Sequence, residues 1–409
     1  MAGAAGAGGD WRRHDAKRPE PAPGGPPAAQ PGLAADRPDD LPAAAGGGAD
    51  RQGFKTASRE EAQTLFAFAT NPFAGLLTGI LATALLQSSS TVTAIVVGLV
   101  AGGMPVSLAV PMVMGANVGT TITNTLVSLA HWHDGAQFRR AFAAATVHDL
   151  FNLLGVLVFL PLELLTGLLR HSAAALVEVF NSSANWSLAG LSPVKALTQP
   201  VVQGLAGQFA ALGEGPLAGG DRLAGVALLL LGVGLLLLAI LRLGTLLRSV
   251  LVGRARLRLH AALGGGALRG IGTGTLVTTV VQSSSTTTSL LVPLAGAGVF
   301  STRDIYPFTL GANIGTTVTA LLAATAASGA LAGAALQIAL VHLLFNVGAV
   351  ALLFLLPLAL RQPGLAHLPV RGAEALADLA TRRKALALVY VLGLYFALPA
   401  ALVFSVGSR

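Results

Sequence analysis

The stretch Leu86–Thr93, LQSSSTVT, places five hydroxyls and an amide inside a run that has no charged residue from Ala62 to His133. The whole chain is 53% hydrophobic and 11% charged, whereas a soluble globular domain has roughly 25% charged residues. The apolar runs are continuous and do not alternate, which predicts membrane helices and not strands. The composition therefore indicates an integral membrane protein, and the absence of cysteine excludes disulfides and thiolate metal sites.

Charge and proline content divide the chain into regions. The first 61 residues hold eight of the 21 prolines, which is typical of a disordered tail, and they lack the apolar core of a signal peptide. Clustered arginines predict cytoplasmic loops, and the region after residue 170, which has few basic residues, is expected outside. The expected regions are the disordered tail 1–61, a first transport repeat 62–170, an extracytoplasmic loop 171–222, a second repeat with its preceding helix 223–360, a basic cytoplasmic segment 361–384 and a C-terminal membrane helix 385–409.

Three motifs occur twice in the same order. LQSSSTVT returns as VQSSSTTT 195 residues later, GANVGTTIT from Gly115 returns as GANIGTTVT from Gly311, and VHDLFN from Val147 returns as VHLLFN from Val341. The chain therefore contains two homologous halves. The halves begin on opposite sides of the expected topology, which predicts the inverted repeats of many secondary transporters. The same inversion leaves both termini outside, and the span 223–241 has no counterpart before the first half.

The polar motif interrupts a segment of about 30 residues from Pro72 to Gly102, and each apolar arm is too short to cross a bilayer of ~30 Å. A re-entrant hairpin is expected instead, with its tip at the serines, and Gly270–Gly298 repeats the plan. We expect about six crossing helices and two such hairpins, whose tips approach from opposite faces.

The Gly-Ala-Asn motifs are expected to interrupt the next helix of each half, because their glycines lower the cost of an unwound turn. Asn117, Thr120, Asn313 and Thr316 offer oxygens there. Carbonyl and hydroxyl oxygens suit Na⁺, while helix N-termini and serine hydroxyls suit an oxyanion. Since no internal arginine or lysine neutralises the anion, the cation is expected to do so, which couples the two.

Other interpretations of these residues carry less weight. A single serine in a membrane helix commonly bonds to a neighbouring helix, but a duplicated Gln-Ser-Ser-Ser-Thr argues for more than packing. GANVGTT lacks the lysine of a nucleotide-binding loop. His148 and Asp149 are adjacent on one helix, roughly 100° apart, and no nucleophile elbow is present, so an enzyme is not expected. His148 and His342 are interpreted as packing residues and Asp149, whose counterpart is Leu343, as functional.

The two QSSS boxes, MGANVGTTITNTLVSL, FRRAFAAATVHDLFN and TLGANIGTTVTALLAA together resemble the type II sodium-dependent phosphate cotransporters, from about Thr70 to Phe404. The resemblance implies Na⁺-driven symport of inorganic phosphate by alternating access in a multi-pass protein of the plasma or inner membrane. Na⁺ is then the coupling ion, no other cofactor is expected, and nucleic acid is not a partner. A symporter of another oxyanion, such as sulfate or arsenate, and an anion channel remain alternatives.

The family's site residues carry over position by position. Asp149 matches an acid of the charge-translocating members, which implies electrogenic transport. His131 stands where the animal members have glutamine, and the outer loop lacks the cysteines that form a disulfide in those members. The resemblance implies phosphate binding at Ser88, Ser89, Ser90, Ser283, Ser284 and Ser285, and sodium binding at Gln87, Gln282, Ser283, Thr125, Asp134, Asp149, Asn152, Thr316 and Thr319.

Overall fold

A computed structural model describes residues 71–182, 204, 266–327 and 331–407 of the chain. All regular secondary structure in these residues is helical, as the continuous apolar runs predicted. Five helical segments of the described part are long and apolar enough to cross a membrane: Val106–Leu129, Gly135–Thr166, Thr302–Ala326, Ala332–Ala359 and Lys384–Leu402. The expected span 223–241, the tail 1–61 and most of the loop 171–222 lie outside the described residues.

The first QSSS motif joins two short helices, α1 (Pro72–Leu86) and α2 (Ser89–Ala101). Asn71 caps α1, since its side chain accepts a hydrogen bond from the Phe73 N–H, and Pro72 occupies the first turn. Helices of 15 and 13 residues are about 22 and 20 Å long at ~1.5 Å per residue. Neither reaches across a hydrocarbon layer of ~30 Å by itself.

The second QSSS motif follows α7 (Ala267–Val281) in the same manner, but its return arm is divided into α8 (Ser284–Ser289) and α9 (Leu291–Gly296). Pro293 lies in α9. A proline lacks the N–H that would bond to the carbonyl four residues earlier, and its ring clashes with that carbonyl. The carbonyl in question is that of Ser289, which explains why the helix breaks there.

Glycines allow the helix before each QSSS motif, α1 or α7, to pack directly against a later helix. A Cβ at Gly115, in α3 (Val106–Gly119), would lie 1.9 Å from the backbone oxygen of Leu76 in α1. A Cβ at Gly311, in α10 (Thr302–Ala326), would lie 2.0 Å from the backbone oxygen of Ile271 in α7. The two backbones are therefore in direct contact in both halves, which only glycine permits.

The predicted helix interruptions are found in one half only. In the first half the helix tightens at Thr120 and Thr121, between α3 and α4 (Ile122–Leu129): both residues keep helical backbone angles, but their N–H groups bond to oxygens three residues earlier, at 3.3 and 3.5 Å. We call this tightened turn the helix break. In the second half α10 is unbroken through Asn313 and Thr316, so the interruption expected there is wrong. The physical reason is that the glycines of this motif provide room for a neighbouring helix, and this contact does not require the helix to unwind.

The remaining helices are α5, α6 and α11 to α16. Asp134 caps α5 (Gly135–Thr166), and Arg139 near the start of this helix forms an ion pair with Asp378 of α14 (Leu368–Arg382). The loop expected from residue 171 begins as a helix, α6. A π-helical turn, Ala351–Leu355, follows α11, and a second one, Gly393–Ala397, joins α15 to α16. The bounds are Gly135–Thr166 for α5, Leu168–Ser182 for α6, Ala332–Val350 for α11, Leu356–Ala359 for α12, Pro363–Ala366 for α13, Leu368–Arg382 for α14, Lys384–Leu392 for α15 and Leu398–Gly407 for α16.

Candidate functional site

The two QSSS segments have the same backbone geometry. We call Gln87–Ser90 the first tip and Gln282–Ser285 the second tip. Gln87 and Gln282 end their helices in the left-handed conformation, with φ of 54° and 57°. Ser88 and Ser283 follow in extended conformation and cap the returning helix, since each Oγ accepts a hydrogen bond of 3.2 Å from the N–H three residues later. The repeated sequence therefore specifies a repeated turn.

The tips contact each other in the folded chain. The Ser90 hydroxyl donates to the backbone oxygen of Gln282 at 3.2 Å. The equivalent hydroxyl, of Ser285, donates to the backbone oxygen of Thr120 at 3.2 Å, at the break between α3 and α4. Ser89 and Ser284 are buried beside them. The six serines predicted to bind phosphate thus lie on two turns that meet, and the helix break lies next to them.

Each tip glutamine bridges two helices. Its Nε2 donates to a carbonyl of its own helix, that of Ala84 or Thr279. Its Oε1 accepts a hydrogen bond from a threonine of another helix. The distance is 2.9 Å from Thr123 of α4 to Gln87 and 2.7 Å from Thr319 of α10 to Gln282. Glutamine, threonine and backbone oxygens are therefore grouped at each tip. Thr316 lies one turn before Thr319, and its hydroxyl donates to the Ala312 carbonyl.

Asp149 lies in a second cluster, formed by threonines of the first half and tyrosines of the C-terminal segment. Its carboxyl group is fully buried, and Oδ2 accepts a hydrogen bond of 2.9 Å from the Tyr390 hydroxyl. Thr121, Thr125 and Tyr395 border the same carboxyl group, and the Thr121 and Tyr395 hydroxyls lie 2.8 Å apart. Oδ1 has no hydrogen-bond partner, and no basic side chain of the described residues pairs with the carboxylate. A buried carboxylate surrounded by hydroxyls is a suitable environment for a small cation.

Asn152 belongs to a third cluster, which links the two halves. The side chain of Asn313 contacts His148 and Asn152 of the other half, at 2.5 and 2.7 Å. The side chain of Asn117 contacts His342 and Asn346 of the other half, at 3.1 and 3.2 Å. All six side chains are at most 2% exposed. Because the motifs have the same order in both halves, each half supplies the histidine and asparagine that contact the asparagine of the other.

Asp134 lies away from these clusters. It is exposed, and its carboxylate accepts hydrogen bonds from the Ala136 and Gln137 N–H groups at the start of α5. Hydrogen bonds from Gln137 hold the pKa of Asp134 below its usual value. Asp134 precedes Asn152 by 18 residues along one continuous helix, which is about 27 Å at ~1.5 Å per residue. The two residues therefore cannot bind the same ion in this conformation.

Comparison with known proteins identifies the family to which the chain is related. The Na⁺/Pi-cotransporter family model matches residues 49–177 and 235–368, which include both tips, the helix break and Asp149. The chain belongs to this family. Membership agrees with the expectation that the chain is a transporter and not an enzyme.

Relatives with names in this family cover most of the chain. It is 35% identical over 401 residues to sodium-dependent phosphate transport protein 2A of Rattus norvegicus, with 83% of this chain and 61% of the rat protein covered. It is 33% identical over 410 residues to sodium-dependent phosphate transport protein 2B of Homo sapiens, with 81% of this chain and 58% of the human protein covered. The chain thus spans about three fifths of the relatives' length. No solved structure matches.

Several residues of these clusters were not found by sequence reasoning. Tyr390 and Tyr395 lie in the last apolar segment, more than 240 residues from Asp149, and nothing local connects them. Asn124 and Thr288, whose side chains bond at 2.9 Å between α4 and α8, were also missed. The useful signal was a polar side chain in an otherwise apolar helix, since such groups need partners in a membrane.

Proposed function

We propose that this chain carries out sodium-coupled symport of inorganic phosphate by alternating access across the plasma or inner membrane. The observation that carries the proposal is the contact between the two tips, in which Ser90 of one bonds to Gln282 of the other. The family is one of Na⁺/Pi cotransporters, and the matched relatives are named as sodium-dependent phosphate transport proteins.

Phosphate binds at the serines of the two tips. Hydroxyls and backbone N–H groups donate hydrogen bonds to phosphate oxygens, and the N-terminus of α2 at Ser88 adds a favourable dipole. The hydroxyls of Ser90 and Ser285 donate to backbone oxygens. A hydroxyl can rotate from a carbonyl to an anion, so these groups redirect their hydrogen bonds when phosphate enters.

Sodium binds where side-chain oxygens are grouped, at the tips and at Asp149. The sites are the Gln282 and Thr319 oxygens with Ser283 and Thr316, the equivalent Gln87, and the hydroxyl-lined carboxylate of Asp149 with Thr125. The positive charge offsets the phosphate charge, which no arginine or lysine of residues 71–182, 266–327 and 331–407 balances at the tips. Because each ion makes the other less costly to dehydrate, binding of the two is coupled. Transport is electrogenic when the ion at Asp149 is counted.

The helix pairs α1–α2 and α7–α8–α9 act as re-entrant hairpins, and the halves are inverted repeats. The short arms and the polar turn between them support this arrangement. Gln87 is exposed at its turn. A side-chain amide and backbone N–H and C=O groups that are exposed at membrane depth must border a water-filled cavity. Exchange of conformation between the halves then opens this cavity to one side at a time.

Radiolabelled phosphate uptake into proteoliposomes tests the proposal. An inward Na⁺ gradient is expected to drive accumulation of phosphate above its outside concentration, and replacement of Na⁺ by K⁺ is expected to abolish it. Ser90→Ala and Ser285→Ala should reduce uptake by at least about tenfold, since each removes one buried donor to the anion. Thr325→Ala, at a half-buried position of α10 outside the tips, is the matched control and should transport normally.

Other outcomes identify the alternatives. Downhill phosphate flux that is indifferent to Na⁺ would indicate an anion channel. Equal inhibition by sulfate or arsenate at the same concentration would show that the tips recognise tetrahedral oxyanions in general. Uptake that is unaffected by both serine variants would contradict the assignment of the tips.

A further inference from the structure

The amides of Asn152 and Asn346, at equivalent positions of VHDLFN and VHLLFN, have different acceptors. The Asn152 Nδ2 donates to the backbone oxygen of Asn117 in α3 at 2.8 Å. The Asn346 Nδ2 donates to the backbone oxygen of His342, one turn earlier in its own helix, at 3.0 Å. The same residue in the same motif thus reaches to another helix in one half and stays within its own helix in the other.

The helix break accounts for the difference. In an unbroken helix the Asn117 oxygen accepts from the N–H four residues later, but the Thr121 N–H bonds instead to the Val118 oxygen at 3.5 Å. The Asn117 oxygen keeps a bond of 3.3 Å from the Thr120 N–H, and its second lone pair is available to Asn152. In the second half α10 continues through Asn313, so the equivalent oxygen is used by its own helix.

We propose that Asn152 and Asn346 are positioning residues that alternately stabilise a helix break, first in one half and then in the other, as transport proceeds. In the conformation described here the break lies at Thr120 and Thr121, and the Asn152 amide takes the place of the Thr121 N–H at the Asn117 oxygen. In the opposite conformation α10 opens at Thr316 and Thr317. The Asn346 amide then moves to the backbone oxygen of Asn313, and the Asn152 amide moves to the backbone oxygen of His148, one turn earlier in its own helix. This inference rests on the proposed alternating access between equivalent halves.

The surrounding contacts support an exchange and not a fixed joint. Asn117 and Asn313 each bond to a histidine and an asparagine of the opposite half, so a change at one is transmitted to the other half. The equivalent bonds also differ in length, at 2.5 and 2.7 Å for Asn313 and at 3.1 and 3.2 Å for Asn117. The break also meets the second tip, since Thr120 accepts from Ser285. Movement of the break therefore moves a group next to the anion.

Amide hydrogen exchange of the full chain in lipid nanodiscs tests the proposal without any transport measurement. The two segments compared are residues 117–125 and residues 313–321. A broken helix exchanges faster than an intact one, so the first segment is expected to exchange faster in the wild type. Asn152→Leu cannot bond to the Asn117 oxygen and should lower the ratio of the two rates about fivefold to tenfold, the factor of one lost buried hydrogen bond. Asn346→Leu should not lower it.

A decrease of the ratio by both variants, or by neither, would overturn the proposal. If a leucine variant does not give a monodisperse protein, Asn152→Ser and Asn346→Ser replace the pair, since the shorter side chain also fails to reach the carbonyl. Phosphate uptake by the same preparations separates this inference from the proposed function. A wild type without Na⁺-driven uptake refutes the function, whereas normal uptake with non-reciprocal exchange refutes only the amide exchange.

Discussion

At the scale of single residues, the tip glutamines combine strain with function. A non-glycine residue in the left-handed conformation costs about 1–2 kcal/mol, and Gln87 and Gln282 both adopt it. Hydrogen bonds from each side chain to its own helix and to a threonine of the next helix offset this cost. Glycine would relieve the strain but would remove both contacts. The backbone turn and the side-chain bridge therefore have to be satisfied by the same residue.

Asp149 is expected to control the charge that accompanies phosphate. Asp149→Asn keeps the size of the side chain and its contact with Tyr390 but removes the negative charge that attracts the ion. We expect the phosphate-evoked current to be lost while some uptake survives, because one charge moved across 100 mV is worth only ~2.3 kcal/mol of driving force. Voltage-clamp currents and tracer uptake measured together give the charge per phosphate.

Tyr390→Phe is the matched control for this substitution. It removes one hydrogen bond to Asp149 and leaves the carboxylate in place, so the current should persist with Na⁺ affinity lowered a few-fold, as expected for about 1 kcal/mol. An unchanged charge per phosphate in Asp149→Asn would show that this carboxylate does not bind a coupled ion.

Asp134 is expected to act on stability and not on sodium binding. Its lowered pKa means that the ionised carboxylate is favoured by the fold. Its stabilising contribution is therefore complete above the unfolded pKa of about 3.9 and is lost as the pH falls through the lower folded value. Asp134→Ala should lower the melting temperature at pH 7, whereas Asp134→Asn, which still caps the helix, should lower it less. We expect the Na⁺ dependence of uptake to be unchanged in both variants, and a clear loss of Na⁺ affinity would support the sodium-binding role that the family resemblance implies for this residue.

At the scale of helices, backbone contact at glycines holds each QSSS helix against its partner. The tips lie next to these contacts, because Gln282 bonds to Thr319 of its partner helix α10 and Gln87 bonds to Thr123 of α4, which follows its partner helix α3. Thr275 adds to the contact in the second half, since its hydroxyl lies 3.1 Å from the Gly311 oxygen of α10. Small residues at such interfaces replace the hydrophobic effect, which does not drive helix association in lipid.

Substitution of these glycines tests the contact. Gly115→Ala and Gly311→Ala place a methyl group about 2 Å from a backbone oxygen, so the helices must separate and the folded protein should be lost or strongly destabilised. Gly272→Ala, on the same helix as Ile271 but with open space around it, should be neutral or stabilising by up to about 1 kcal/mol. Fluorescence size-exclusion and thermal melting in detergent measure both. Equal stability of Gly115→Ala and Gly272→Ala would contradict the direct contact.

At the scale of the whole molecule, the proposed inversion of the two halves predicts the side of the membrane on which each connecting turn lies. The turn after α2 and the turn after α9 are equivalent in sequence but are expected on opposite sides of the membrane. The chain has no cysteine, so single cysteines can be introduced without a background. Pro105→Cys and Ala297→Cys are at exposed positions of these turns, and a membrane-impermeant maleimide added from one side should label only one of them. Labelling of both from the same side would exclude inverted repeats.

Sequence alone was sufficient for the properties that depend on local composition and on repetition. Length and continuity of apolar runs determined a helical membrane protein, and the duplicated motifs determined which residues are equivalent in the two halves. Ser88 and Ser283 have the same geometry because a cap depends only on the next three residues. The family resemblance was confirmed for the same reason, since it rests on motifs that are contiguous in the chain.

Only the tertiary structure decided what these residues contact. The glycines of the Gly-Ala-Asn motifs were predicted to unwind both helices, but the approach of α1 and α7 gives them another role, and α10 stays intact. The bonds of Asp149 to Tyr390 and of Asn313 to His148 join residues 241 and 165 positions apart. Such pairs depend on how helices pack, and helix packing is set by shape over the whole interface, which no short segment of sequence contains.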